Sequence, residues 1–469
     1  MVVLILIQIL FFVVTCVVAF LFSRSFVHPS IVYCIAWILV LALHEVGFVS
    51  YEYPPISAYL ILVQSSFSLA FVIGTFIRFP LFAWQYRCKA NESNVSLNLY
   101  MSFVFFASTI LLTTLVGYEL LSSGRSILDI GATRTELWDS VDDEEEITKV
   151  SMAKSIIRPV VIAFLFMTPI SKDVFRRTVG VFAFLVIGVG ESLLAGGRAF
   201  LAFAISGLVF SNNLKTRFPD SENSRDSNSA LPRDVSTLRL KPVIVLVRTF
   251  AVVVALYMTF GVFPAIRNPD LTGNEDLFLK LENGNSFVSP LFRDLGDKFG
   301  IPSITVFAYG TYYLTSPMMR SNYLLLETDA TEWYLLGEAN FPVLSKITSR
   351  ILGGRTSERT VKERIERAQP YGKNPWYSGI AEVFIDFGLA GGIAFMFFLG
   401  LAANWMFQSL TQLRQPEYYA LYSMMIILLL AFPMFGVLRM SMYFNPTLMC
   451  LAILFVRAIP RPANYGLKG

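Results

Sequence analysis

Two carboxylates stand four residues apart at the head of a long apolar run: Glu382 and Asp386 in NPWYSGIAEVFIDFGLAGGIAFMFFLG, residues 374–400. On a helix that spacing puts both on one face, with Ser378 one turn earlier. Such acids can pair with an arginine, for which Arg198 and Arg439 are available. They can equally accept a proton from a hydroxyl, because partial burial raises a carboxyl pKa and poises it as a base. Glycines at 388, 391 and 392 would let other helices approach that face.

A second constellation is GVGESLLAGGRAFLAF, residues 188–203. Glu191 closes one apolar run, Arg198 opens the next, and Gly196-Gly197 permits a sharp corner between them. An arginine forced to the bilayer centre costs about 2.5–3.5 kcal/mol and far less at the interface, so Arg198 is either a snorkelling or Glu191-paired residue, or a functional one. Arg198, Glu382 and Asp386 all fall at the same expected side of the membrane, where they could share one cleft. The Gly188-Val-Gly190 pair is no dinucleotide fingerprint, because no strand precedes it.

The segment 264–378 is too long for a passive connector. Its stretch SITVFAYGTYYLTSPMM, residues 303–319, carries Tyr309, Tyr312 and Tyr313 and reads first as an interfacial helix with an aromatic belt. The same rings could instead stack on a sugar or a polyprenyl chain. TSERTVKERIERAQP can form a capped helix ending before Pro370, with Glu358–Lys362 and Glu363–Arg367 as i,i+4 pairs. From Arg350 to Lys373 the bases Arg350, Arg355, Arg359, Lys362, Arg364, Arg367 and Lys373 outnumber Glu358, Glu363 and Glu366. That excess points to an anionic ligand such as a phosphate or pyrophosphate; nucleic acid is not expected there.

The elements that must position these residues are membrane helices. The chain has 469 residues, 55% hydrophobic and 15% charged, against roughly a quarter charged in soluble domains. An all-α polytopic membrane protein with about eleven spans follows, near 2–22, 31–50, 57–77, 97–121, 157–171, 178–195, 199–211, 242–263, 379–407, 417–437 and 442–458. The first run lacks a basic leader and a cleavage site, so it reads as a retained span. Eight spans lie in 1–263, with a polar linker at 212–241; the large loop is 264–378; three spans and a tail fill 379–469.

Lysines and arginines set the orientation. Arg24, then Arg78, Arg87 and Lys89, then Lys172, Arg176 and Arg177, the stretch Lys215 to Lys241, Arg414, and the tail with Arg457, Arg461 and Lys468 fall on alternate connections. These are expected inside, and 51–55, 122–156, 196–198 and 264–378 outside. The acidic run WDSVDDEEEITKV reads as a solvated face, without EF-hand spacing. Four scattered cysteines and two histidines, His28 and His44, give no metal motif, and no metal or cofactor is expected. No internal repeat is visible, which weighs against transporters built from duplicated halves.

The GGRAFL corner, a long outer loop containing YGTYYL, and then NPWYSGIAEVFIDFGLAGG together resemble the Wzy-type oligosaccharide repeat unit polymerases, the O-antigen polymerase family. As sequence the resemblance covers roughly 190–210 and 305–400; as architecture it covers most of the chain. It implies a GT-C-like membrane glycosyltransferase in the bacterial inner membrane with its large loop periplasmic or extracellular. The donor would be a glycan on undecaprenyl pyrophosphate, and the acceptor the terminal sugar hydroxyl of another lipid-linked repeat unit. Membrane lipid, a chain-length regulator and a flippase are the accompanying partners. Arg198 at the matching corner would bind the diphosphate, helped by Arg320 or Arg355. Asp386 and Gly388 match the motif at the head of the span, and Glu382, one turn earlier, takes the base role on geometry. Tyr309, Tyr313, Asn374 and Tyr377 complete the expected substrate-binding set. An O-antigen ligase is the sibling alternative, but such ligases use a loop histidine and this loop has none. A flippase or transporter, and a partner without chemistry, are the other classes.

Overall fold

The computed structural model describes residues 2–51, 56–78, 95–122, 149–171, 173–191, 199–218, 286–290, 294, 298, 304–327, 377–434 and 441–458. The eighth expected span, 242–263, lies outside them, as do the 356–370 helix, the acidic run up to residue 148 and most of the linker expected at 212–241, whose first residues instead continue a helix to Arg217.

Helices occupy the other expected spans. They are α1 (Val2–Ser23), α2 (Pro29–Val46), α3 (Ala58–Phe76), α4 (Val95–Ser122), α5 (Lys149–Met167), α6 (Val174–Phe184) and α7 (Ala199–Arg217). Then come α8 (Ile304–Glu327) in the large loop, α9 (Gly379–Leu413), α10 (Pro416–Ala431) and α11 (Ser441–Ala458). Among the described residues six helices are long and apolar enough to cross a membrane: α1 to α4, α5 with its following turn, and α9. The protein is therefore an all-α membrane protein at this level. Two short strands, β1 (Val49–Tyr51) and β2 (Ser286–Val288), are the exception. The expected second span, 31–50, stops at Val46, where Gly47 caps the helix with positive φ.

Local chemistry explains the boundaries. Pro29 starts α2, where a missing N–H costs nothing. The Ser57 side chain accepts the Leu60 N–H and caps α3; Asp173 does the same for Phe175 and α6. In α4, hydroxyls of Ser102, Thr109, Thr113 and Thr114 return to carbonyls four residues back, so polar groups on an apolar helix need no outside partner. α6 runs on through a π-segment, Leu185–Gly190, to Glu191.

The chain forms two compact units, and their limits cut across the chain segments. The first holds 1–78, 246–404 and 425–441; the second holds 79–245, 405–424 and 442–469.

In the first unit α2 and α3 are antiparallel, tied by Ser30–Thr75 and by Tyr33 Oη to Ser68 Oγ at 3.0 Å. α3 and α9 run parallel. Tyr59 meets Phe384 edge-on at 6.2 Å, Phe67 covers Gly392, and Asn404 donates to the Ile77 carbonyl at 2.7 Å. Between those contacts the two backbones touch at Gly74 and Gly400. A Cβ on either glycine would collide with the other helix's main chain, at Phe397 or at Phe71.

In the second unit α4, α5, α6 and α7 pack through Phe105–Phe164 and Phe166–Phe203 ring contacts at 5.3 and 5.1 Å. Among its described polar side chains are two ion-paired groups. Arg457 of α11 pairs with Glu417 at 2.9 Å with both side chains buried. The other cluster surrounds Glu191.

Candidate functional site

The acids sit on a separate half-helix. Gly388 interrupts α9 with φ 63° and ψ −167°, a conformation open essentially only to glycine. From residue 389 to Leu413 the helix has 25 residues, about 38 Å at 1.5 Å each, enough to cross roughly 30 Å of hydrocarbon unaided. Glu382 and Asp386 thus belong to a short segment ahead of the span. Both are buried, Glu382 at 5% and Asp386 at 0% exposure.

Ser378 is the link to the loop. It starts the half-helix, its carbonyl accepting the N–H groups of Ala381 and Glu382 at 3.0 and 3.2 Å. Its own N–H donates to Ser321 Oγ of α8 at 3.0 Å, and the two hydroxyls lie 2.8 Å apart. Ser321 spends its single proton on the Pro317 carbonyl, at 2.6 Å, so the Ser378 hydroxyl is the donor of the pair. Ser321 is then saturated, and it fixes α8 to the head of α9.

The neighbouring residue, Arg320, is 6% exposed and donates from Nη2 to Tyr312 Oη at 2.8 Å, two turns back on the same helix face. Asn322 Oδ1 accepts the Ser57 N–H at 2.8 Å, so α8 also holds the start of α3. Tyr51 of β1 lies 2.5 Å from Thr315 Oγ1, and β1 pairs antiparallel with β2. The connections 51–55 and 264–378, which the basic residues assign to one side, therefore meet at one end of this unit. Gly379 N–H donates to the Phe432 carbonyl at 2.8 Å at the same end.

These contacts correct the expected surface role of 303–319. The helix continues to Glu327, through Pro317, and from Gly310 to Leu325 only Tyr313 and Tyr323 are even partly exposed. It is a buried pillar, not an interfacial belt. Its hydroxyls at 311, 315, 316 and 321 are buried on several sides, and the α2–α3–α9 ends cover it.

Of the expected site residues, Glu382, Asp386, Tyr377, Arg320 and Tyr313 fall in this one unit. Tyr377, 2% exposed, directly precedes Ser378, and Tyr313 packs edge-on to Tyr312 at 5.7 Å. The side chain of Tyr309 is outside the described set, and so are Arg198, Arg355, Asn374 and Arg439 altogether. Thr315, Ser321, Asn322 and Tyr51 were not picked out by sequence, and Tyr312 was read only as one ring of the aromatic stretch. The eight-residue spacing of Tyr312 and Arg320, two turns apart, is the one signal that could have found any of them.

Glu191 belongs to the second unit and its carboxylate is occupied. Arg158 donates to both of its oxygens, Nε at 3.0 Å and Nη2 at 2.9 Å, and Lys154 Nζ stands 3.4 Å away. Lys154 also reaches Glu119 at 2.5 Å, and the Arg158 guanidinium lies 5.1 Å from the Phe200 ring. The ion pair expected of Glu191 is thus made with α5 residues. Arg158 touches both Glu191 and Phe200, which flank the corner in sequence.

No protein-family model, curated protein or solved structure matches the chain. Among the described residues no group of three or more His, Cys, Asp or Glu comes together in a way that could hold a metal ion.

Proposed function

We propose that the protein is an integral-membrane glycosyltransferase. It polymerises undecaprenyl-pyrophosphate-linked oligosaccharide repeat units into a surface polysaccharide at the outer leaflet of the bacterial inner membrane. The observation that carries this reading is the Ser321–Ser378 junction. It seats the helix of a buried guanidinium against the half-helix of two buried carboxylates, in one compact unit.

In the reaction a terminal sugar hydroxyl attacks the anomeric carbon of the donor glycan. A glycosidic C–O bond forms and the bond to undecaprenyl pyrophosphate breaks. Glu382 takes the hydroxyl proton and Asp386 supports it; both need the dry setting that the half-helix provides. The leaving pyrophosphate gains negative charge, so fixed guanidiniums lower the barrier by binding it more strongly as it departs. Arg320 fills that role from α8; the resemblance assigns the same role to Arg198 and Arg355. Tyr313 and Tyr377 border the sugar. Neither a nucleotide sugar nor a metal enters this scheme.

A second reading, transport of a lipid-linked sugar, draws support from the break at Gly388, since discontinuous helices line transporter binding sites. Reconstitution with lipid-linked repeat units, resolved on a gel, separates the readings. A ladder is expected, lost in Arg198→Ala and in Arg320→Gln at normal expression. A single transfer to lipid A would make the protein a ligase, and no covalent change would return it to transport.

A further inference from the structure

The first outer connection contributes to the same cluster as the large loop. Tyr51 stands on β1 with its Cα opposite Ser286 of β2, and the ladder is extended by Ser289 N–H donating to the Phe48 carbonyl at 3.0 Å. A three-residue strand locked on one edge is a rigid mount for a side chain. The Tyr51 ring lies near-parallel to Tyr312, at 26° and 6.4 Å between centroids, and near-parallel to His44 at 24° and 6.4 Å. Its hydroxyl meets Thr315 Oγ1 at 2.5 Å. Thr315 donates its only proton to the Thr311 carbonyl at 2.8 Å, so Tyr51 is the donor in that contact. Tyr312 and Thr315 lie three residues apart on one face of α8, and Tyr312 is the phenol that receives the Arg320 guanidinium. Tyr51 therefore braces the face from which Arg320 is held, without being near it in sequence.

We propose that Tyr51 is a positioning residue for Arg320, acting through Thr315 and Tyr312, and that the anion so placed is a pyrophosphate group. The inference rests on the reading of Arg320 as an anion-binding residue. A guanidinium on a flexible stem binds a diphosphate well only when its planar fork is already oriented. Arg320 gets that orientation from a phenol whose ring and helix are pinned by a strand in a different loop.

The test uses the purified full-length chain in detergent with inorganic pyrophosphate as probe, read as the concentration giving half the maximal rise in unfolding temperature. Wild type is expected to be stabilised, and Arg320→Gln to lose the rise. Tyr51→Phe keeps the ring but lacks the donor and should need about three- to tenfold more pyrophosphate. Tyr51→Leu should need more still, and adding it to Arg320→Gln should change nothing further. A purely structural tyrosine would lower the ligand-free unfolding temperature and leave the pyrophosphate midpoint where it was; that result overturns the proposal. So does a wild-type chain that pyrophosphate does not stabilise, or an Arg320→Gln chain that it still does. Should Tyr51→Leu fail to fold, the Tyr51→Phe midpoint decides. The readout needs no turnover. If the midpoints shift as expected but no ladder forms in reconstitution, the polymerase reading fails and the positioning role stands.

Discussion

In the proposed reaction the roles of Asp386 and Glu382 rest on single oxygen atoms. Replacing either carboxylate by its amide preserves shape and removes the base or its support. Asp386→Asn and Glu382→Gln are expected to cut polymer formation by about 10²-fold or more, in line with the loss of a general base. Asp129→Asn, in the outer segment, should leave the ladder unchanged; equal effects at 129 and 386 would reduce Asp386 to a pairing residue. His28 gives a prediction of a different kind. It lies in the connection before α2, 2% exposed, and burial pushes its pKa down from 6.5 to about 4. Above pH 6.5 both folded and unfolded chains carry it neutral. Between 6.5 and 4 the unfolded chain binds a proton that the folded one refuses, so stability falls as pH drops through that window, by about 3 kcal/mol at most. Thermal unfolding at pH 7.5 and pH 5 should show a smaller acid loss in His28→Gln than in wild type. At this scale the sequence was informative about residue type and poor about partners. The spacing of Glu382 and Asp386 announced one helical face. Nothing announced that Glu191 would be held by Arg158 and Lys154 of α5, since both partners look like ordinary flanks of an apolar run.

Helices are legible because hydrophobic runs in lipid have one way to satisfy their backbone. α1, α3, α4 and α11 lie within two residues of the expected spans, whereas α5 starts at Lys149 rather than 157 and α7 and α9 run on to Arg217 and Leu413. Breaks within a run are harder to see. Gly388 sits among other glycines in an apolar stretch and reads as a packing residue, yet it divides α9 and sets the acids apart from the span. Gly388→Ala would place a Cβ at a positive φ with extended ψ, costing about 1–3 kcal/mol. It should either lower the unfolding temperature or straighten α9. In both cases polymer formation falls, and circular dichroism with thermal melting tells the two apart. The surroundings of α8 are hidden for the opposite reason. Its tyrosines match an interfacial belt, but its Thr315 and Ser321 also accept hydrogen bonds from Tyr51 and Ser378, far away in the chain, which no local pattern records.

For the molecule as a whole, the testable statement is that the connection after α2 and the large loop are joined. Val49 and Val288 are Cα partners across β1 and β2. Cysteines at both positions, in a background without the native four, should cross-link under mild oxidation and leave the ladder intact. Failure to cross-link would separate the two connections and remove Tyr51 from the site. Composition made the membrane character readable, and charge alternation put these two loops on one expected side; their pairing and the grouping into two units were not readable, because each unit draws on stretches from both halves of the chain. The hydrogen bond from Ser57 to Asn322 joins residues 265 positions apart. At about 5–20 residues per second, ribosomes take roughly 13–53 s to add that much chain. α3 is thus made tens of seconds before the Asn322 side-chain carbonyl that accepts its leading amide exists. Nascent chains shorter than that lack this contact, so translation itself sets the moment at which α3 and α8 can first be joined.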